Sequence, residues 1–324
     1  MKFKQRIFLY LQKNGPNTIE VLTGILGVSR QYIHRLMNEL MDEGLVKKVG
    51  TAPHVFYSAI EGEKTDETPL PYDKEKFLKE NFIIVTALGE KLEGVEGMKY
   101  WCQNQSLPFT KTVDEYIETR KKYLGYYNEN YLIDGINKLQ NTKGMGDLGV
   151  DSLFYLDFYA IERFGKTRLG TLMHYAKQGQ NKMLMGEIVQ ETRNRIKLLI
   201  QIHQIEAILY VPPTINRKIQ IMDYLEMNLK INLPKIRIKK IATQIIVPQK
   251  ALSKIFERVA NAKNTFIVPE QESFQKILIL DDAIGSGATI NEIAKKVKDK
   301  NIAKEIVGLA ITGSFKGFDV ISEL

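Results

Sequence analysis

Cysteine and tryptophan each occur once in this 324-residue chain, side by side at Trp101 and Cys102. A single thiol can form no internal disulfide and no cysteine-rich zinc site, so a reducing interior and no zinc are expected. The four histidines, His34, His54, His174 and His203, each stand alone, which favours structural roles. No stretch approaches the roughly 18 apolar residues that would span a bilayer. The opening Met1-Lys2-Phe3-Lys4-Gln5-Arg6 lacks the apolar core of a signal peptide. A cytoplasmic protein with no membrane partner is therefore expected. With 44% hydrophobic and 26% charged residues, the chain can bury a core without staples, and its length predicts two domains with a connecting piece. The net charge of +8 suits a polyanionic partner only if the basic residues cluster.

They cluster first near the start. Phe3, Ile7, Phe8 and Leu11 form a helical stripe, ended by Asn14-Gly15-Pro16-Asn17. Thr18 caps a second helix to Leu26, with Val21, Leu22 and Ile25 expected inward. Ser29 caps a third, running to Glu43 and closed by Gly44, with Ile33, Leu36, Met37 and Leu40 as its buried face. Arg30, Gln31, Tyr32, His34 and Arg35 crowd its first two turns, where a recognition helix presents side chains to a DNA major groove. Leu45 to Val49 and His54 to Tyr57 then flank a Gly50-Thr51-Ala52-Pro53 turn, a hairpin carrying Lys47 and Lys48. Residues 1–58 hold eight Lys/Arg against four acids, with basic side chains on both helix and hairpin, where phosphates would lie. This segment resembles the winged helix-turn-helix of bacterial transcription regulators, which implies DNA as a partner.

The middle is less legible. Residues 61–71 are charged and turn-rich, as in a linker. Phe82 to Leu88 reads as a strand, Glu90 to Gly97 as polar and glycine-rich, Val113 to Tyr127 as a helix, and Tyr131 to Leu139 as a further helix. Tyr116, Tyr123, Tyr126 and Tyr127 make an aromatic stripe that could stack on bases but more often packs one helix on another. Trp101-Cys102 reads as a small apolar core, because no histidine or second thiol lies nearby. Residues 61–150 are expected to form a linker and mainly helical connecting region, through which the protein forms a homodimer.

From about Asp151, helical and strand patterns alternate. Helices are predicted over 167–175, 183–202, 219–229, 249–260 and 289–298, and strands over 206–211, 240–247, 276–280 and 305–311. Such alternation predicts an open, mostly parallel sheet with covering helices. The sharpest motif runs from Ile277 to Ile290. A buried strand ends at Asp281-Asp282, and Ala283-Ile284-Gly285-Ser286-Gly287-Ala288-Thr289 opens a helix. Ligands bind at the carboxyl ends of strands in such sheets, and a glycine-rich turn at a helix start offers N–H groups to a phosphate. The two carboxylates would accept hydrogen bonds from sugar hydroxyls or help hold a divalent metal. There is no Walker A lysine and no Gly-x-Gly-x-x-Gly. Thr289-x-x-Glu292 could instead be a plain capping box.

This motif resembles the phosphoribosyl pyrophosphate loop of type I phosphoribosyltransferases, with Ser286 where threonine is usual. Gln249-Lys250-Ala251-Leu252-Ser253, Arg258-Val259-Ala260-Asn261 and Phe266 resemble a block of ComF-type competence proteins. Tyr210-Val211-Pro212-Pro213 resembles their Val-Pro-Val-Pro strand end, and Leu172 to Lys177 their early helix. The resemblance covers residues 153–315. It implies a ribose phosphate site over residues 281–289, pyrophosphate contacts from Pro213, Thr214, Arg217 and Lys218, and Mg2+ near Asp281 and Asp282. Two features depart from the family. The cysteine-rich finger is absent, and Arg217-Lys218-Ile219-Gln220-Ile221 replaces a glycine-containing segment. Between Thr214 and Arg258, ten Lys/Arg face three acids, which suits pyrophosphate, DNA or a merely solvated face.

The expected architecture is α/β: a winged helix domain over 1–60, the connecting region over 61–150, and a phosphoribosyltransferase-type sheet domain over 151–324. The expected function is a DNA-binding regulator that senses phosphoribosyl pyrophosphate or a nucleotide. An active phosphoribosyltransferase and a competence or repair factor on single-stranded DNA are the alternatives.

Overall fold

A computed structural model describes residues 3–51, 53–60, 69–213, 215–241, 252, 254–269 and 272–315. The chain divides into two compact units, Met1–Asp114 and Glu115–Leu324. No helix among the described residues is long and apolar enough to cross a membrane.

The first unit opens with α1 (Phe3–Asn14), α2 (Ile19–Leu26) and α3 (Arg30–Asp42), then the antiparallel hairpin β1 (Val46–Val49) and β2 (Phe56–Ala59). Both expected caps form. The Thr18 hydroxyl accepts from the Val21 N–H at 3.4 Å and the Ser29 hydroxyl from the Tyr32 N–H at 3.3 Å, each satisfying an N–H that the helix leaves unpaired. Ile7, Leu11, Ile19, Leu22, Ile33, Leu36, Met37 and Leu40 close one core with Val46 and Tyr57 of the hairpin. Val21 and Ile25 are 41% and 47% exposed, not inward. At about 100° per residue, they lie across the helix from the buried Ile19 and Leu22.

Two helices follow that the sequence pattern hides. Helix α4 (Tyr72–Asn81) fully buries only Leu78, so its stripe is faint. The hairpin β3 (Ile83–Val85) and β4 (Lys91–Glu93) is shorter than the strand expected over 82–88. The glycine-rich stretch then opens α5 (Gly94–Asn104). A Cβ on Gly97 would come within 2.9 Å of the Leu92 carbonyl oxygen, so this glycine lets α5 sit against β4. Cys102 is buried on α5. The boundary between the units falls inside α6 (Phe109–Leu124).

The second unit continues with β5 (Ile133–Asp134) and the short α7 (Ile136–Gln140) where one helix over 131–139 was expected. Local side-chain bonds account for the difference. Asn128 Oδ1 accepts from the N–H groups of Asn130 and Leu132, both at 3.0 Å, and Asp134 Oδ1 from that of Ile136 at 2.9 Å. Such contacts favour turns over a continuous helix. Next come β6 (Ser152–Phe158), the small hairpin β7 (Ala160–Ile161) and β8 (Gly165–Lys166), α8 (Arg168–Gln178), α9 (Lys182–Ile202), β9 (Ala207–Tyr210) and α10 (Ile221–Asn228). Then β10 (Lys239–Lys240), α11 (Ile255–Thr265), β11 (Phe266–Ile267), β12 (Phe274–Ile284), α12 (Ala288–Asp299) and β13 (Ala303–Gly313) complete the order.

Five strands form one sheet in the order β5-β6-β13-β12-β9. Strands β6, β13, β12 and β9 are parallel, and β5 is antiparallel at the edge. Ile277 to Leu280 of β12 are wholly buried, as expected of a central parallel strand covered on both faces. Parallel pairing brings the ends of β6, β13, β12 and β9 to one carboxyl edge, so Tyr159, Ser314, the loop from Gly285 and Pro212-Pro213 all lie there. Strand β6 was not anticipated, because Asp157 interrupts its apolar run. That carboxylate is buried and held by two 2.9 Å hydrogen bonds from the equally buried Arg120 of α6. The tyrosine stripe is packing: Tyr116 meets Phe164 edge-on at 5.2 Å, and Tyr123 meets Phe158 at 5.4 Å. The helix expected over 249–260 begins at Ile255. Most of the strand expected over 240–247, and Gln249, Lys250, Ala251 and Ser253, lie outside the described residues.

Candidate functional site

Strand β12 delivers Asp281 and Asp282 to the carboxyl edge of the sheet, and the chain then turns through Gly285, Ser286 and Gly287 into α12. Gly287 is the N-cap of that helix at φ +79, where L side chains are strained, and no side chain caps it. The helix thus starts one residue before Thr289. Glu292 is instead buried beside Lys295, at 2.8 Å, so no capping box forms. The N–H groups of Gly285, Ser286 and Gly287 make no hydrogen bond within the described residues. The Ser286 hydroxyl accepts from the Ala288 N–H at 3.4 Å. Unpaired amides at a helix start form an anion site.

The loop is one wall of a cavity of about 300 Å³, lined across the sheet edge by residues of four strand ends and of helices α8, α10, α11 and α12. Every residue from Asp281 to Ile290 borders it, so all the expected ribose phosphate residues come together. Pro213 and Arg217 line it as well, whereas Lys218 is exposed and does not. Thr214 lies outside the described residues. Further polar residues reach the cavity that sequence pattern did not assign to it, Lys177, Tyr159, Arg258 and Ser314 among them. Lys177 of α8 donates to Asp282 Oδ2. The Tyr159 hydroxyl lies 3.0 Å from His174 Nδ1. Arg258, mostly buried on α11, donates from Nε to the Leu252 carbonyl at 2.7 Å. Ser314 stands just past β13, 3% exposed. The family resemblance already marked Lys177 and Arg258. Nothing in the local sequence marks Tyr159 or Ser314, which are placed only by the order of the strands.

Burial pushes the Asp281 carboxyl up to about 7, and the neighbouring Asp282 carboxylate adds to the rise while Lys177 opposes it. Two carboxylates this close resist ionising together. Burial also pushes the Lys138 amine of α7 down to about 8; it donates to the Ser314 carbonyl. Among the described residues no cluster of three or more His, Cys, Asp or Glu could by itself hold a metal. The Asp281–Asp282 pair nonetheless fits a cation that takes its remaining oxygens from a phosphate ligand and water, as Mg2+ does. The basic stretch after Thr214 is partly self-neutralised, since Glu226 pairs with Lys235 at 2.8 Å and Arg237 at 3.2 Å.

The second candidate surface is the exposed side of α3. Arg30, Gln31, His34 and Arg35 are all exposed there. Arg30 pairs with Glu20 at 2.8 Å, and Arg35 lies 4.9 Å from the ring centre of Tyr32. Tyr32 is half-buried and packs edge-on to Phe3 at 6.0 Å, so its ring belongs largely to the core. On the hairpin, Lys48 is exposed, whereas Lys47 is half-buried and bonded to Glu90.

Residues 2–47 match the family described as winged helix-turn-helix DNA-binding. The helix order, both caps and the hairpin agree with that match, so the chain carries an N-terminal winged helix-turn-helix of the DNA-binding class. No curated protein matches the chain.

Proposed function

We propose that this protein is a DNA-binding regulator whose C-terminal domain takes up a ribose 5-phosphate ligand, phosphoribosyl pyrophosphate or a related nucleotide, and changes DNA binding in response. One observation carries the ligand reading: unpaired amides of Gly285, Ser286 and Gly287 adjoin two carboxylates at the carboxyl edge of a parallel sheet. In this reading the amides and the α12 dipole hold the 5-phosphate, and the Ser286 and Thr289 hydroxyls add donors. Asp281 and Asp282 accept the ribose hydroxyls. They would also hold Mg2+, which offsets phosphate charge when bound. Arg217 and Pro213 border the part of the cavity where a pyrophosphate would lie. For the ligand to regulate, it must bind one arrangement of the protein more tightly than another. The test is the affinity of the full-length protein for duplexes it selects from a random pool, followed across a saturating titration of phosphoribosyl pyrophosphate with Mg2+. A shift of fivefold or more is expected; an unchanged affinity for DNA defeats the regulatory reading.

A further inference from the structure

The exposed side of α3 resolves into a central stripe and two flanks. The buried Ile33, Leu36, Met37 and Leu40 fix the inward face. At ~100° per residue, Gln31, Arg35 and Asn38 fall within about 30° of the line directly opposite. All three are exposed. Arg30 and His34 lie to one flank of that line, and Tyr32 turns toward the core. A helix lying along a major groove reads bases with the stripe that faces the groove floor, while its flanks meet the phosphate walls.

The stripe residues are available for base contact. Gln31 and Asn38 make no side-chain hydrogen bond or ion pair among the described residues, so both amides keep a donor and an acceptor free. Arg35 stacks 4.9 Å from the ring centre of Tyr32, which packs edge-on to Phe3. Its contact to Glu39, at 3.9 Å, runs through Nε and leaves both Nη groups open. The stack holds the guanidinium plane ready for a planar partner. Arg30 is engaged differently, paired with Glu20 of α2 at 2.8 Å. Near the far end of α3, Lys4 bonds Glu43 and lies 3.7 Å from Glu39, which offsets the charge that would repel phosphates. Asp42 continues the stripe one turn beyond Asn38, where a straight helix leaves a groove that curves around the duplex.

Side-chain chemistry and spacing together specify a sequence. An amide side chain matches the N6 donor and N7 acceptor of adenine, and a guanidinium matches the O6 and N7 acceptors of guanine. At ~1.5 Å per residue, Arg35 lies about 6 Å and Asn38 about 10 Å along the axis from Gln31. Base pairs recur every ~3.4 Å, so these distances are about two and three base-pair steps. We infer that Asn38, with Gln31 and Arg35, reads base edges in the major groove. The duplex site then carries an A·T pair, a G·C pair two steps on, and a second A·T pair directly beside the G·C pair. Arg30 contacts the backbone and no base. This goes beyond the DNA-binding class of the domain and does not depend on the ligand proposed for the C-terminal domain.

Selection of duplexes from a random pool by the full-length protein, followed by affinity measurements on single-pair changes, provides the test. The enriched site should show the three pairs at that spacing, with the purines on either strand. Each wrong pair should cost about tenfold in affinity. Asn38→Ala should level the preference at the A·T pair beside the G·C pair and leave the other two in place. Gln31→Ala should do the same at the outer A·T pair, and Arg30→Ala should weaken all sequences alike. An enriched site without this spacing overturns the readout from the wild-type protein alone. So does an Asn38→Ala variant that keeps the preference at its pair or weakens every sequence equally, and so does an Arg30→Ala variant that relaxes one position only. Absence of binding to any duplex overturns DNA binding by the domain itself, and the inference with it.

Discussion

The ammonium of Lys177 on α8 donates to the carboxylate of Asp282 at the end of β12, 105 residues further along the chain. The contact places a cation within a pair of carboxylates that would otherwise repel each other, and Asp282 is nearly buried while Lys177 is about 29% exposed along its side chain. In the function proposed above, the same carboxylate accepts a ribose hydroxyl and helps hold Mg2+, which would set the lysine and the metal in competition for one role. Replacing Lys177 with Met leaves two carboxylates with no cation beside them. Affinity for ribose 5-phosphate without Mg2+ should fall about tenfold, or ~1.4 kcal/mol. Millimolar Mg2+ should restore most of it in the variant while changing the wild type less. Titrations with and without Mg2+ decide the matter; the same Mg2+ dependence in both proteins would show that Lys177 does not substitute for the metal.

Gly287 meets two constraints at once. Its φ is +79, and an added Cβ would lie 2.5 Å from Leu139 Cδ1 of α7. Gly287→Ala should cost about 1–3 kcal/mol in chemical denaturation, from backbone strain and the displaced leucine. The two parts separate in a double-mutant cycle. Leu139→Ala should cost less in the Gly287→Ala background than in the wild type. Strict additivity of the two changes would mean that the leucine moves aside freely and only the backbone resists.

How far these features could be read beforehand follows from the range of the interactions behind them. The caps at Thr18 and Ser29, the stripe of α3 and the strand–loop–helix at Asp281 are local, set by residues within one or two turns of each other, and they were legible. Strand β6 was hidden because the charge of Asp157 is matched by Arg120, 37 residues away. Helix α5 was hidden because Gly97 answers to the Leu92 carbonyl across a turn and not to helix propensity. Ser314 joins the cavity solely through strand order. The strand–loop–helix at Asp281 was thus readable from sequence, whereas the opposite wall of the cavity beside it needed the sheet.

Asp281 should make the protein less stable as pH rises. Its folded value lies near 7, above the ordinary 3.8, so between roughly pH 4 and 7 the folded state holds a proton that the unfolded chain has released. Stability from this group is complete below about pH 4 and is lost as pH climbs through 7. Asp281→Asn cannot ionise, so it should raise the melting temperature more at pH 8 than at pH 5. It should also abolish the gain in melting temperature that ribose 5-phosphate gives the wild type. Parallel melts at the two pH values check the sign; equal effects at both would mean that Asp281 titrates like an ordinary carboxyl.

On the DNA-binding side, the hairpin lysines differ in availability. Lys48 is exposed, while Lys47 is bonded to Glu90 in the turn before β4. A lysine already paired to a carboxylate displaces fewer counterions from DNA, because its charge is partly matched before contact. Each phosphate contact adds about 0.9 to the magnitude of the salt slope for duplex DNA. Lys48→Ala should therefore weaken binding and flatten the plot of log affinity against log salt by up to ~0.9. Glu90→Gln should do the reverse, releasing Lys47, tightening binding and steepening the slope by a similar amount. A Lys47→Ala, Glu90→Gln double variant should return the slope to that of the wild type. If Glu90→Gln leaves both affinity and slope unchanged, Lys47 does not reach a phosphate, and the DNA contacts of the hairpin fall to Lys48.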